Sequence, residues 1–208
     1  MTGVIFVIMD ESIRNGYYMI GIVCTTDLKR LRQRLIYKLG CHKHNDEVKY
    51  HDLDLSLRPT VFFKLAKIID DLNCFITGID VGKDQPKDPY STYASTIISH
   101  IFEWVSNRSE KEEYLQPPPL HFIIDPTTSL DVEKFNKRAG AYAGNIKVND
   151  PIPNSKTNVE IWAADIVAGA LIDIFINNDD KMKSCFRKLV EKGNALDPKE
   201  PPVFIRKV

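Results

Sequence analysis

The sequence lacks most of the features that assign a protein quickly. Its four cysteines, Cys24, Cys41, Cys74 and Cys185, show no CxxC spacing, so they read as reduced thiols and not as a disulfide framework. Cys41-His42-Lys43-His44 contains metal-ligand residue types but no second ligand pair at finger spacing, and reads as a polar loop. Net charge is absent too: 28 basic residues balance 28 acidic ones, which argues against a protein that coats nucleic acid through bulk electrostatics. No signal or transit peptide is visible, and a cytoplasmic protein is expected. The most apolar stretch, Ile161 to Ile176, is too short for a comfortable membrane span and carries Asp165 and Asp173. It reads as a buried helix, with no membrane role. Repeats, linkers and low-complexity boundaries are also missing. At 208 residues the expectation is one domain over 1–208, with a basic helical and Pro-rich C-terminal extension from about 178.

What is present begins with Val4-Ile5-Phe6-Val7-Ile8-Met9, an apolar run without polar alternation that ends in Asp10-Glu11-Ser12. Such a run is a strand buried on both faces, and its acids stand where the strand leaves the core. Arg14-Asn15-Gly16 is a turn signal and Tyr17 to Thr25 a second strand, so the sheet opens with an antiparallel hairpin. Asp27 caps a helix to about Leu39, and Pro59 opens another to about Leu72. Glu47 to His51 alternates and predicts a short strand or its approach. Cys74 to Val81 is a strand, Tyr90 to Val105 a helix, and Leu120 to Ile124 a second apolar strand ending in an acid, Asp125. Helices follow over Leu130 to Tyr142 and about Asn158 to Ile176, with a short strand at Asn145 to Val148 between them and a short basic helix after them. Val203-Phe204-Ile205 could be extended. The class is α/β.

Asp165 is the residue that changes the weight of these acids. It lies within Ile161-Trp162-Ala163-Ala164-Asp165-Ile166-Val167-Ala168-Gly169-Ala170, where an ionised carboxylate is costly unless cations or donors meet it. The small neighbours Ala164, Ala168 and Gly169 indicate that the helix lies close against something, with the sheet as the natural partner. Carboxylates arriving from separate segments at one pole of a sheet repel one another unless metal ions neutralise them. Hard oxygen ligands favour Mg²⁺ or Mn²⁺ over zinc.

Taken in order, Asp10-Glu11-Ser12 at a strand, Tyr17 to Val23, Glu47-Val48-Lys49, the strand ending in Asp125 and Ala164-Asp165-Ile166-Val167-Ala168 resemble the domain-of-unknown-function 3800 family. Its members look like compact relatives of the RNase H-like fold. The resemblance spans most of the chain. It implies a mixed central sheet with an antiparallel N-terminal hairpin and helices on both faces, and a carboxylate quartet of Asp10, Glu47, Asp125 and Asp165. Trp162 departs from the family pattern, which has Gln three residues before the late acid. Asp80, which ends its own strand, is an alternative member of the quartet.

The activity implied is a nuclease that hydrolyses phosphodiester bonds with two divalent ions, Mg²⁺ or Mn²⁺, held about 4 Å apart. Asp10 would bridge both. Glu11 alternates to the other side of the strand and is the poorer ligand. Lys49, on the side of Glu47 in an extended segment, would contact the scissile phosphate or stand as a solvated lysine. The expected partner is nucleic acid, DNA or RNA, with Lys29, Arg30, Arg32, Arg34 and Lys38 on one helix as a track for its phosphates. A second basic cluster, Lys181, Lys183, Arg187, Lys188 and Lys192, lies near the C-terminus. A homo-oligomer or protein partner stays open. Two other readings stand beside the nuclease: a non-catalytic RNase H-like binding or scaffolding module, and a metal-dependent phosphohydrolase of small nucleotides.

Overall fold

A computed structural model of the chain describes residues 4–39, 49–83, 86–108, 118–125, 130–143, 146–148 and 158–196. Glu47, the loop at Cys41 to His44 and the tail at Val203 to Ile205 lie outside the described residues. The hairpin forms as the turn signal predicts. β1 (Ile5–Arg14) and β2 (Tyr17–Thr25) pair from Phe6 opposite Thr25 to Arg14 opposite Tyr17. Asn15 and Gly16 both take positive φ, 53° and 76°, the backbone that two-residue hairpin turns require. One boundary differs from the sequence reading. Asp10 does not end the strand: β1 continues through Glu11 and Ser12 to Arg14 because pairing with β2 persists to the turn.

β3 (Phe75–Gly82) pairs antiparallel with β2, β4 (Leu120–Ile124) parallel with β1, and β5 (Ile146–Val148) parallel with β4. The order is β3-β2-β1-β4-β5, a mixed sheet with the N-terminal hairpin at its centre. The helices are α1 (Leu28–Leu39), α2 (Arg58–Leu72), α3 (Pro89–Thr92), α4 (Ala94–Arg108), α5 (Val132–Ala143), α6 (Val159–Phe175) and α7 (Asp180–Glu191). A 3₁₀ turn, Tyr50–Asp52, takes up the described end of the stretch Glu47 to His51 that was expected to be a short strand or its approach. The helix predicted over Tyr90 to Val105 is two: α3, whose start Asp88 caps by accepting from the Ser91 N–H at 2.9 Å, ends at Tyr93, where φ and ψ of −100° and 11° leave the helical range, and α4 follows.

Alternate residues of β1 feed two cores. Ile8 joins Met19, Val23, Ile76 and Ile123 beneath α1, α2, α6 and α7. Ile5, Val7 and Met9 join Ile20, Ile22 and Phe122 beneath α4 and α5. Helices therefore cover both faces, which is why the first strand carries no polar alternation. α6 is buried from Glu160 to Ile174 and lies against β1 and β2 at a distance only glycine permits. A Cβ on Gly21 would stand 2.2 Å from the Ala164 carbonyl oxygen and 2.5 Å from the Ala168 nitrogen. The small residues of α6 thus meet the sheet at Ala164 and Ala168, while Gly169 makes room for the Tyr50 ring.

α7 buries Met182, Phe186 and Leu189 in the α6-side core. The residues after it lie along the outer edge of β3: Ile76 N–H donates to the Asn194 carbonyl at 2.9 Å and Leu196 N–H to the Ile76 carbonyl at 3.1 Å. This covers part of an otherwise open strand edge. Among the described residues, no helix is long and apolar enough to cross a membrane.

Candidate functional site

Strand register brings the first two acids together. The last parallel pair of β1 and β4 is Met9 with Ile124, and the Asp125 N–H donates to the Met9 carbonyl at 3.1 Å. Asp10 and Asp125 therefore follow as neighbours on adjacent strands, on the α6 face that Ile8 and Ile123 share. The third acid comes from the helix. Gly21, opposite Asp10 in the hairpin, is the point where Ala164 touches the sheet, so the next residue, Asp165, reaches the same place. Burial pushes the Asp10 carboxyl well above its ordinary range. Asp165, Asp125 and Glu11 then push it further, opposed by the Glu11 N–H that donates to Asp10 Oδ1 at 2.8 Å.

The three carboxylates present hard oxygen donors in a poorly solvated place where their charges oppose one another, which is the donor chemistry of a Mg²⁺ or Mn²⁺ site. Among the described residues, no group of three or more His, Cys, Asp or Glu side chains is already arranged around a single ion position. Asp80 does not join them. It stands on β3, two strands from β1, and its Oδ1 accepts from the Gly82 N–H at 3.0 Å.

Glu11 faces the other core, as strand alternation predicts. It accepts a hydrogen bond from the Tyr90 hydroxyl. Burial, with the Asp125 and Asp165 charges, raises its carboxyl to about 7 against the lowering effect of that bond. Tyr90 and Tyr18 are pushed above the ordinary phenol range, again by burial first and the Glu11 charge second.

Asp165 has a donor that the sequence reading missed. The backbone N–H of Tyr50 donates to its Oδ2 at 2.7 Å. Lys49, the preceding residue, is exposed and so stands at the rim beside Asp165. The Tyr50 ring is fully buried, and its hydroxyl donates to Asp173 Oδ2 at 2.9 Å. Asp173 in turn accepts from Arg14 and from Asn177 Nδ2 at 2.8 Å, and it lies 3.9 Å from Arg58 Nη1. The Arg14 and Arg58 guanidinium carbons lie 5.9 and 5.6 Å from the centre of the Tyr50 ring. Arg58 also ties down the 3₁₀ turn, donating to the Leu53 carbonyl at 3.1 Å and the His51 carbonyl at 2.9 Å. One signal could have disclosed this cluster: Asp173 is as out of place in an apolar helix as Asp165.

The basic helix divides. Lys29 and Arg30 are exposed. Arg32 is held by the buried Glu160 of α6 through two hydrogen bonds, the one from Nε at 2.9 Å. This pairing raises the Arg32 pKa despite some burial. Lys38 lies over the Tyr37 ring at 5.7 Å, and both Arg34 and Lys38 are half-buried. Lys29 and Arg32, with Phe6, Leu28, Gln33 and Ile36, line a groove of about 550 Å³. Trp162 is buried in α6. No family model and no curated protein matches the sequence.

Proposed function

We propose that this chain is a divalent-metal-dependent nuclease of RNase H-like architecture, hydrolysing phosphodiester bonds of nucleic acid. The observation that carries the reading is the meeting of Asp10, Asp125 and Asp165, from a central strand, its parallel neighbour and a buried helix, with two of them raising the pKa of the third. The strand order and the helices on both faces support the architecture. Asp10, Asp125 and Asp165, joined by Glu47, would hold Mg²⁺ or Mn²⁺. Such ions, when bound, polarise the phosphate and lower the pKa of coordinated water. The Tyr50 N–H orients Asp165. Lys49 supplies a positive charge at the rim for the phosphodiester, and Lys29 and Arg30 supply charge for the flanking phosphates.

The alternative is a non-catalytic binding or scaffolding module. A Mn²⁺ titration separates the two. The wild type is expected to bind Mn²⁺ and to cleave at least one of single-stranded, duplex or hybrid substrates. Asp10→Asn is expected to lose cleavage by about a thousandfold, the equivalent of several kcal/mol of lost charge stabilisation. Absence of Mn²⁺ binding in the wild type would leave the binding module, and turnover confined to mononucleotides would leave the small-nucleotide hydrolase.

A further inference from the structure

Tyr50 is a strut with two ends. Its backbone N–H meets Asp165 at 2.7 Å and its hydroxyl meets Asp173 at 2.9 Å. Between those ends the ring packs over Gly169, where a Cβ would stand 2.2 Å from it, and the Arg14 and Arg58 guanidinium groups lie within cation–π range. Both ends therefore rest on α6, two turns apart. A main-chain donor can orient a carboxylate only if the main chain itself is fixed. Here it is fixed by the phenol bond to Asp173 and by the two Arg58 bonds to the carbonyls of His51 and Leu53. None of these groups is one of the proposed ligands.

We infer that Tyr50, Asp173 and Arg58 are positioning residues that set the orientation of the Asp165 carboxylate toward a divalent cation. The inference rests on the metal-dependent reading above, and it assigns to this site a set of supporting groups outside the proposed ligands. Partners that orient a ligand carboxylate alter metal affinity by about 10- to 100-fold when they are removed. Tyr50→Phe removes only the hydroxyl, so the ring, its packing over Gly169 and the backbone donor all remain.

The test is Mn²⁺ affinity by electron paramagnetic resonance on the full chain, for the wild type, Tyr50→Phe and Asp173→Asn. Thermal unfolding of each variant confirms that it is folded at the temperature used. A loss of affinity of about tenfold in the folded variants is expected, and a change of less than about threefold overturns the inference. Should Tyr50→Phe fail to fold, Asp173→Asn decides by the same threshold, with Arg58→Lys as the third variant. Should the wild type bind no Mn²⁺, the metal-dependent reading falls. The strut is then judged without metal, by hydrogen exchange at the Tyr50 amide. Faster exchange in Asp173→Asn, by about tenfold, keeps it as an orienting device for Asp165, and unchanged exchange overturns it.

Discussion

α6 carries two aspartates that are almost equally buried, Asp165 at 7% and Asp173 at 6% exposure, about 12 Å apart along the helix. Their surroundings differ. Asp173 is met by two guanidinium groups, a phenol and an amide, so the chain itself supplies the neutralising charge. Asp165 accepts from the Tyr50 N–H and lies near Asp10 and Glu11, whose pKa values it helps to raise. Asp165 stands among acids whose protonation it influences, whereas Asp173 stands among cations and hydrogen-bond donors.

The largest effect that can break this comparison is on folding without metal. Asp173→Asn leaves Arg14 and Arg58 buried without a counter-charge, and a loss of about 3 kcal/mol is expected. Asp165→Asn keeps an acceptor for the Tyr50 N–H and relieves Asp10, so its change should stay within about 1 kcal/mol and favour the folded state. Urea unfolding in the presence of a chelator measures both. Equal destabilisation by the two substitutions would abolish the distinction.

The two aspartates were not equally legible in the sequence, and the reason is physical. β1, the hairpin and α6 follow from local signals: an unbroken apolar run, an Asn-Gly turn, a helix apolar all round. Asp10, Asp125 and Asp165 could be singled out because each interrupts or ends an apolar segment, although only register and the contact at Gly21 bring them together. Asp173 interrupts α6 in the same way, but its partners come from the far end of β1, a 3₁₀ turn and the start of α2. No sequence spacing links Arg14, Tyr50 and Arg58. The extension of β1 to Arg14 was hidden as well, because Asp10, Glu11 and Ser12 resemble a strand exit until the pairing with β2 is seen. Likewise Arg32 resembled its basic neighbours until Glu160, distant in sequence, was found against it.

The second way to sharpen the comparison is pH. The carboxyl of Glu11 is raised from an ordinary value near 4.5 to about 7 in the folded protein, by burial first. The folded state therefore holds this proton more tightly than the unfolded chain does. The resulting stability is fully present below about pH 4.5 and is lost as pH rises toward about 7; Asp10, also raised, acts in the same direction. Replacing Glu11 with Gln should remove part of that slope, a difference of about 2 kcal/mol between wild type and variant across the window. Paired melting curves at pH 4.5 and 7.5 in chelator read it. Parallel curves for wild type and Glu11→Gln would mean that the acid side of the molecule is better solvated than its neighbours imply.

The smallest effect carries the same contrast to the surface. Arg32 is matched by Glu160 within the chain, as Asp173 is by its arginines, whereas Lys29 and Arg30 project from the first turn of α1 into solvent. Only charges that the protein leaves uncompensated can release counterions from a nucleic acid. Neutralising Lys29 or Arg30 to Gln should therefore reduce the slope of log affinity against log salt by about 0.7 to 0.9 per residue. Arg32→Gln should leave the slope where it was, because its charge is already spent on Glu160. Fluorescence anisotropy with a labelled oligonucleotide across a salt series measures all three variants. If Arg32→Gln changes the slope as much as Lys29→Gln does, the Arg32 to Glu160 pair opens to admit phosphate, and internal compensation would no longer separate structural charge from functional charge in this fold.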